Sequence, residues 1–249
     1  EIDQGIEIVH NADLPARSGL GSSSTFTVGL LNALYGLKNY MPTKRELALE
    51  AIHIEQNLIG ESVGSQDQTA AAFGGINKIN FSKENEIDVQ HLIISQDRLF
   101  QLQDNLMLFF TGFARNASDV AKEQIKNTLK KKNELKNINE ICSEGFSVLN
   151  NKNQSMDEIG FLLNEQWIIK RTLTKKITNT KIDDIYKIGI KAGALGGKLL
   201  GAGAGGFILF YVPKKCQSSV KRALKKKLFV PFRFESTGSK IIYHSHLNR

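Results

Sequence analysis

Cysteine is almost missing from this chain: Cys142 and Cys216 are the two in 249 residues. They form no Cys-x-x-Cys pair and have no histidine nearby at metal spacing. That argues against a disulfide framework and a zinc site, and it fits a reducing compartment, the cytoplasm. Long apolar runs are missing as well. No stretch approaches the roughly 20 apolar residues a bilayer requires, so no membrane partner is expected. The start, Glu1-Ile2-Asp3-Gln4, has neither the basic cluster nor the apolar core of a signal peptide. An initiating Met is lacking too, and the chain opens inside or just before a strand, so it reads as a fragment.

What is present is an ordinary globular composition, 41% hydrophobic and 23% charged, long enough for one large domain or two small ones. The net charge is +8, which raises nucleic acid as a partner. The basic residues cluster instead in lysine-dominated stretches, Lys130-Lys131-Lys132 and Lys225-Lys226-Lys227, with no interleaved aromatics to stack on bases. They read as solvated helix faces that also draw in small anions such as ATP. Nucleic acid is not expected, and nothing here fixes an oligomeric state.

Residues 5–12 alternate as a strand does, and the turn-rich Pro15-Ala-Arg-Ser-Gly-Leu-Gly follows. From Ser22 to about Tyr35 the apolar Phe26, Leu30, Leu31 and Leu34 recur at helical spacing until Gly36. Thr43-Lys-Arg-Glu46 is a capping box opening a second helix, and Ser155-Met-Asp-Glu158 is another further on. Strands are expected at 76–81, 88–94, 105–111 and 207–212, and helix through most of 117–175 and at 181–195. A basic helix at 214–227 and two short strands close the chain. Strands and helices mix without a regular βαβ rhythm, which predicts an α+β fold.

The sharpest chemical feature is the loop Gly19-Leu20-Gly21-Ser22-Ser23-Ser24, set between the expected strand and the first helix. Glycines let the backbone approach a ligand closely. A helix start presents free N–H groups with about half a positive charge. Serine hydroxyls there can bind phosphate oxygens or a magnesium ion. Ser22 as a plain N-cap would also explain a serine at this point, but a cap needs neither the other two serines nor a second glycine. Gly201-Ala-Gly203-Ala-Gly-Gly206 has the spacing of a dinucleotide fingerprint, yet its context is wrong. That fingerprint follows a strand and opens a helix, whereas here a helix precedes and a strand follows. A structural turn remains the simple alternative. No Walker-type P-loop occurs.

Pro15-Ala-Arg-Ser-Gly-Leu-Gly-Ser-Ser resembles the nucleotide-binding motif of the GHMP kinases at every fixed position. Glu55 and Asp67, flanking Gly60 and Gly64, are similar to that family's metal-binding glutamate and catalytic aspartate, and Lys198–Gly206 to its third glycine motif. Three phrases, Ser23–Tyr35, Gly64–Gln68 and Phe110–Arg115, are similar to the branch acting on heptose 7-phosphate. The resemblance implies a two-lobed α+β fold, with an ATP-binding lobe at 1–113 whose start is incomplete and a C-terminal lobe at 114–249. It implies an ATP- and Mg²⁺-dependent sugar kinase. The loop residues would bind the phosphates and Ser23 with Glu55 the metal, while Asp67 would be the catalytic base. Asp67, Arg115 and Gly203 would contact the substrate, C1 of heptose 7-phosphate being the expected acceptor in surface-polysaccharide precursor synthesis. The family's first motif, which contributes to the sugar site, is not found in this chain.

The residue types agree with that reading. Phosphoryl transfer needs a metal to neutralise phosphate oxygens and a carboxylate to orient the incoming hydroxyl. Taken alone, Glu55 would be a surface helix charge and Asp67 a cap for the helix after it. Arg115 would fork onto a substrate phosphate or carboxylate, or else pair with a nearby acid. His53 and the other histidines show no ligand spacing, and Trp167 belongs to a helix core. A non-catalytic sensor or regulator on the same scaffold is the alternative function; the intact Glu55 and Asp67 weigh against it.

Overall fold

A computed structural model describes residues 5–14, 18–82, 86–113 and 117–245. Its two halves are built differently. In the first, helices α1 (Ser22–Leu37), α2 (Lys44–His53) and α3 (Gln66–Phe73) pack on one another. The antiparallel hairpin β1 (Asn77–Phe81) and β2 (Ile87–His91) follows. In the second, β4 (Gly196–Leu199), β5 (Phe207–Tyr211), β3 (Leu106–Phe110) and β6 (Phe229–Val230) form a four-stranded antiparallel sheet in that order. Around it lie α4 (Gln96–Asn105), α5 (Ala117–Asn127), α6 (Lys132–Asn150), α7 (Asp157–Lys170), α8 (Thr180–Lys191) and α9 (Gln217–Ala223). This is a mixed α+β fold. The expected division after residue 113 falls just beyond β3, a strand that pairs with β5 and β6 on the far side of it.

Local chemistry explains most elements. Thr43 accepts from Glu46 N while the Glu46 carboxylate receives Thr43 N–H, so the first capping box forms and starts α2. The second does not form. Ser155 Oγ accepts from Asp157 N at 3.2 Å, one residue short of the expected partner, and α7 starts without a side-chain cap. Asn179 caps α8 by accepting from Ile182 N, and Ile182, Ile185 and Tyr186 line that helix's buried face. The main core surrounds the fully buried Trp167 with Phe109, Phe210, Ile177, Ile208 and Leu199. Helix α7 reaches β4 closely because both carry glycine at the contact: a Cβ on Gly196 would sit 1.9 Å from Gly160 O.

Residues 5–12 are not a strand. They pair with nothing among the described residues and are exposed throughout, Val9 by 73%. Alternation supplies a face to bury, but a strand exists only with a partner for its N–H and C=O groups. The buried face of α1 also differs from the expected stripe. It is Ser24, Val28, Asn32 and Gly36, while Phe26 is 39% exposed, with its ring edge on His10. The basic helix expected at 214–227 is a short 3₁₀ turn at Lys214–Cys216 followed by α9.

Candidate functional site

The loop before α1 is shaped by its glycines. Gly19 and Gly21 hold φ of 79° and 69°, in the left-handed region that L side chains rarely adopt. Gly21 is the N-cap of α1 and offers no side chain to cap it, so Ser22 is not the cap. The first intrahelical bond runs from Thr25 N to Gly21 O at 2.8 Å. The N–H groups of Ser22, Ser23 and Ser24 therefore precede the helix's own bonding and face out of its positive end. Beneath them Ser18 is 2% exposed, and its Oγ has no hydrogen-bond partner. A glycine cradle, free amides and an orphaned buried hydroxyl together suit the phosphates of a nucleotide.

The third glycine motif is the wall behind this loop. A Cβ on Gly201 would lie 2.9 Å from Gly19 Cα, and one on Gly206 would lie 2.2 Å from Ser18 O. Only glycine permits that approach. The turn is held from the far side by Thr111, whose N and Oγ1 both donate to Gly206 O at 2.9 and 2.8 Å, and by Gly206 N donating to Phe113 O. Gly203 serves packing: a Cβ there would meet Ile177 Cα at 2.8 Å. The preceding element is the strand β4 rather than the expected helix, which meets half of the dinucleotide-fingerprint context, but β5 follows and the turn opens no helix, so the fingerprint reading fails on that count.

Glu55 is brought inward by a π-helical turn at Ile54–Leu58 that continues α2. It is 1% exposed. Its carboxylate accepts from Ser24 Oγ at 2.8 Å, from Thr27 Oγ1 at 2.9 Å and from Gln68 Nε2. No cation pairs with it among the described ion pairs. A carboxylate this deep is costly without compensation, and α1, the π turn and α3 converge on it. Ser24 is buried on Glu55, whereas Ser23 is exposed at the loop. Gln68 is fully buried, and its Oε1 has no partner.

Asp67 lies in the first turn of α3, after Ser65. The residue keeps an open side to solvent, while its carboxyl lies on the phosphate loop: a Cβ on Gly21 would come within 3.1 Å of Asp67 Cγ. Desolvation of the carboxyl, then the charge of Glu55, push its pKa up; Lys170 pulls it down. That lysine ends α7, and its Nζ donates to Gly201 O at 2.7 Å. Burial, then the charge of Lys198, push Lys170 down to about 7, with Asp67 opposing. Lys198, on β4, is pushed down to about 8, first by burial.

The structure thus gathers Gly19, Leu20, Gly21, Ser22, Ser23, Ser24, Glu55 and Asp67 in one place, with Gly203 one turn away and Arg115 outside the described residues. Sequence reasoning missed Thr27, Gln68 and Lys170. Gln68 was signalled only by its place beside Asp67, and Lys170 read as an ordinary lysine at a helix C-terminus. A magnesium ion fits what is present in kind. It favours hard oxygens, keeps several waters and takes one or two carboxylates plus substrate phosphates. The Glu55 carboxylate, the Ser23 and Ser24 hydroxyls and the orphaned Gln68 Oε1 are oxygens of that kind. No cluster of three or more His, Cys, Asp or Glu that could hold a metal by itself occurs among the described residues. Nor is any helix among them long and apolar enough to cross a membrane.

Residues 1–75 match the family described as GHMP kinases N terminal domain, and residues 147–229 match GHMP kinases C terminal. The chain is 32% identical over 232 residues to the D-glycero-alpha-D-manno-heptose 7-phosphate kinase of Campylobacter jejuni, covering 92% of this chain and 68% of that protein. It is 24% identical over 251 residues to the galactokinase of Pyrococcus furiosus, covering 90% and 69%. Among solved structures, a D-glycero-D-manno-heptose 1-phosphate kinase from Bacteroides thetaiotaomicron superposes with a TM-score of 0.64 at 29% identity, over 93% of this chain and 66% of that one. A putative sugar kinase from Campylobacter jejuni does so with a TM-score of 0.66 at 30% identity, over 91% and 65%. The chain spans about two thirds of the length of these relatives.

Proposed function

The chain belongs to the GHMP kinases, ATP-dependent phosphotransferases with an alcohol acceptor, and on that premise we propose that it phosphorylates C1 of a heptose 7-phosphate. The observation that carries the phosphotransfer reading is the convergence on the start of α1 of a glycine cradle, a buried carboxylate lacking a cation and an open-sided carboxylate. The free amides of Ser22, Ser23 and Ser24 hold the β- and γ-phosphates, and Gly19 and Gly21 let the backbone close on them. Glu55, with the Ser23 and Ser24 hydroxyls, would hold Mg²⁺. When bound, that ion neutralises charge on the phosphate oxygens. Asp67 orients the acceptor hydroxyl and takes its proton. Its raised pKa brings it nearer to working pH and so makes it a better base than an ordinary aspartate.

The acceptor assignment is supported by the relatives' names and by the phrases around Asp67 and Phe110. Arg115, beside the latter, is proposed to meet the sugar's phosphate, and Gly203 to border the sugar. The enzyme is proposed to work in the cytoplasm, where ATP is abundant and Cys142 and Cys216 stay free thiols. The test is a panel of sugars and sugar phosphates offered, with ATP and Mg²⁺, to the full-length protein carrying this chain. The proposal expects heptose 7-phosphate to give the highest kcat/KM, and Arg115→Ala to harm it more than unphosphorylated heptose. A hexose preferred over both, or equal loss for both heptoses, would overturn the assignment.

A further inference from the structure

Contacts link four elements from the end of α7, through the glycine turn and the phosphate loop, to Asp67 on α3. Lys170 Nζ, from the end of α7, holds Gly201 O at 2.7 Å. Gly201 presses on the phosphate loop, since a Cβ there would come within 2.9 Å of Gly19 Cα and O. Two residues along that loop, Gly21 lies against the Asp67 carboxyl. Lys170 and Asp67 each move the other's pKa, yet no ion pair joins them among the described residues. A cation and a carboxylate therefore reach the two ends of the phosphate loop, one behind Gly19 through Gly201 and one against Gly21, near enough to feel each other's charge.

An ammonium has three donors, and the bond to Gly201 is the only one recorded for Lys170 among the described residues. Two N–H groups are left for a ligand at the loop. A lysine placed only to complement the α7 dipole would stay in solvent and would not reach a glycine turn in another part of the chain. We propose that Lys170 is a further catalytic residue, whose ammonium contacts the phosphoryl group in flight between the phosphate loop and Asp67. This rests on the kinase reading above. In that step the acceptor hydroxyl gives its proton to Asp67 and its oxygen bonds to the γ-phosphorus. The bond from that phosphorus to the β,γ-bridging oxygen breaks, and its electron pair leaves on ADP. Lys170 keeps its proton throughout and offsets the charge on the equatorial oxygens. Lys170 is half-buried, and partial desolvation pushes the free lysine down to about 7, so an arriving anion restores its full charge.

The test compares Lys170→Gln, which keeps a donor for Gly201 without the charge, with Lys170→Arg, which keeps the charge, in the full-length protein. Lys170→Gln is expected to lower kcat about 10²-fold, with ATP affinity within a few-fold of wild type and unchanged melting. Lys170→Arg should recover most of that loss. In the wild type, the lysine amine NMR signal assigned to Lys170 should shift when ADP, aluminium fluoride and acceptor are added, and much less with ATP alone. A Gln variant as active as the Arg variant would make Lys170 a clamp for the glycine turn and overturn the proposal. So would an amine signal indifferent to the phosphoryl mimic, a readout that stands even where Lys170→Gln fails to fold. A wild type that transfers no phosphoryl group to any alcohol would instead refute the kinase reading.

Discussion

The two halves of the molecule divide stability and chemistry between them. The second half has a four-stranded sheet and a core that buries Trp167, Phe109, Phe207, Phe210 and Tyr211 almost completely. The first half has a small core of Val28, Leu47, Ala48, Ala51 and Ala72, and the inner face of α1 carries Ser24 and Asn32. Yet the phosphate loop, Glu55 and Asp67 all lie in this thinner half. Polar groups that must meet a ligand cannot also supply apolar burial. The site gains its rigidity by being pressed, at Gly19 and Ser18, against the glycine turn of the better-packed half. Chemistry on the thin side, backed by structure on the thick side, is the arrangement the comparison teaches.

The largest effect expected is on chemistry alone. Asp67→Asn should cut turnover by about 10²–10⁴-fold, the range for losing a general base, with ATP binding and melting temperature nearly unchanged. Kinetics alongside thermal unfolding reads this, and a large fall in melting temperature would break the division. Trp167→Ala should do the reverse, lowering stability by about 3–5 kcal/mol, while Val28→Ala in the small core should lower it by about 1–2 kcal/mol. Equal losses by denaturant titration would mean that the two cores are not unequal.

Gly206→Ala sits on the seam and should affect both sides. Its φ of 93° and the 2.2 Å approach to Ser18 O force a strain of about 1–3 kcal/mol on the turn and on the loop behind which it stands. ATP affinity should fall together with melting temperature, whereas Gly64→Ala, with nothing within 4 Å of the added carbon, should change stability little. Glu55→Gln should raise the magnesium concentration needed for half-maximal rate. A titration curve matching wild type would place the metal elsewhere. The smallest effect concerns pH. Lys170 is the influence that lowers the pKa of Asp67, against burial and Glu55, which raise it. Removing that cation in Lys170→Met lets the pKa climb further. The acid limb of kcat/KM, where Asp67 must lose its proton, should therefore move to higher pH.

Much of the fold was legible locally. Helix α1, the Thr43 cap, the hairpin strands and β3 follow from periodicity and capping chemistry, and the two glycine motifs stand out by residue type. What stayed hidden depends on distant partners. Strand character at 5–12 comes to nothing without a neighbouring strand. β4 was invisible because Gly196 and Gly197 disfavour a strand until α7 and β5 pack closely on them. The π turn that swings Glu55 inward leaves no sequence trace, and neither does the reach of Lys170 from the end of α7 to Gly201.

The central claim is that the site at the start of α1 transfers a phosphoryl group to an alcohol. Its most direct test incubates the full-length protein with Mg²⁺, γ-labelled ATP and heptose 7-phosphate, and follows the label. The account predicts label on the sugar in one-to-one ratio with ADP, formed at no more than about a hundredth of that rate by Asp67→Asn. ADP without labelled sugar, or full transfer by Asp67→Asn, would contradict it.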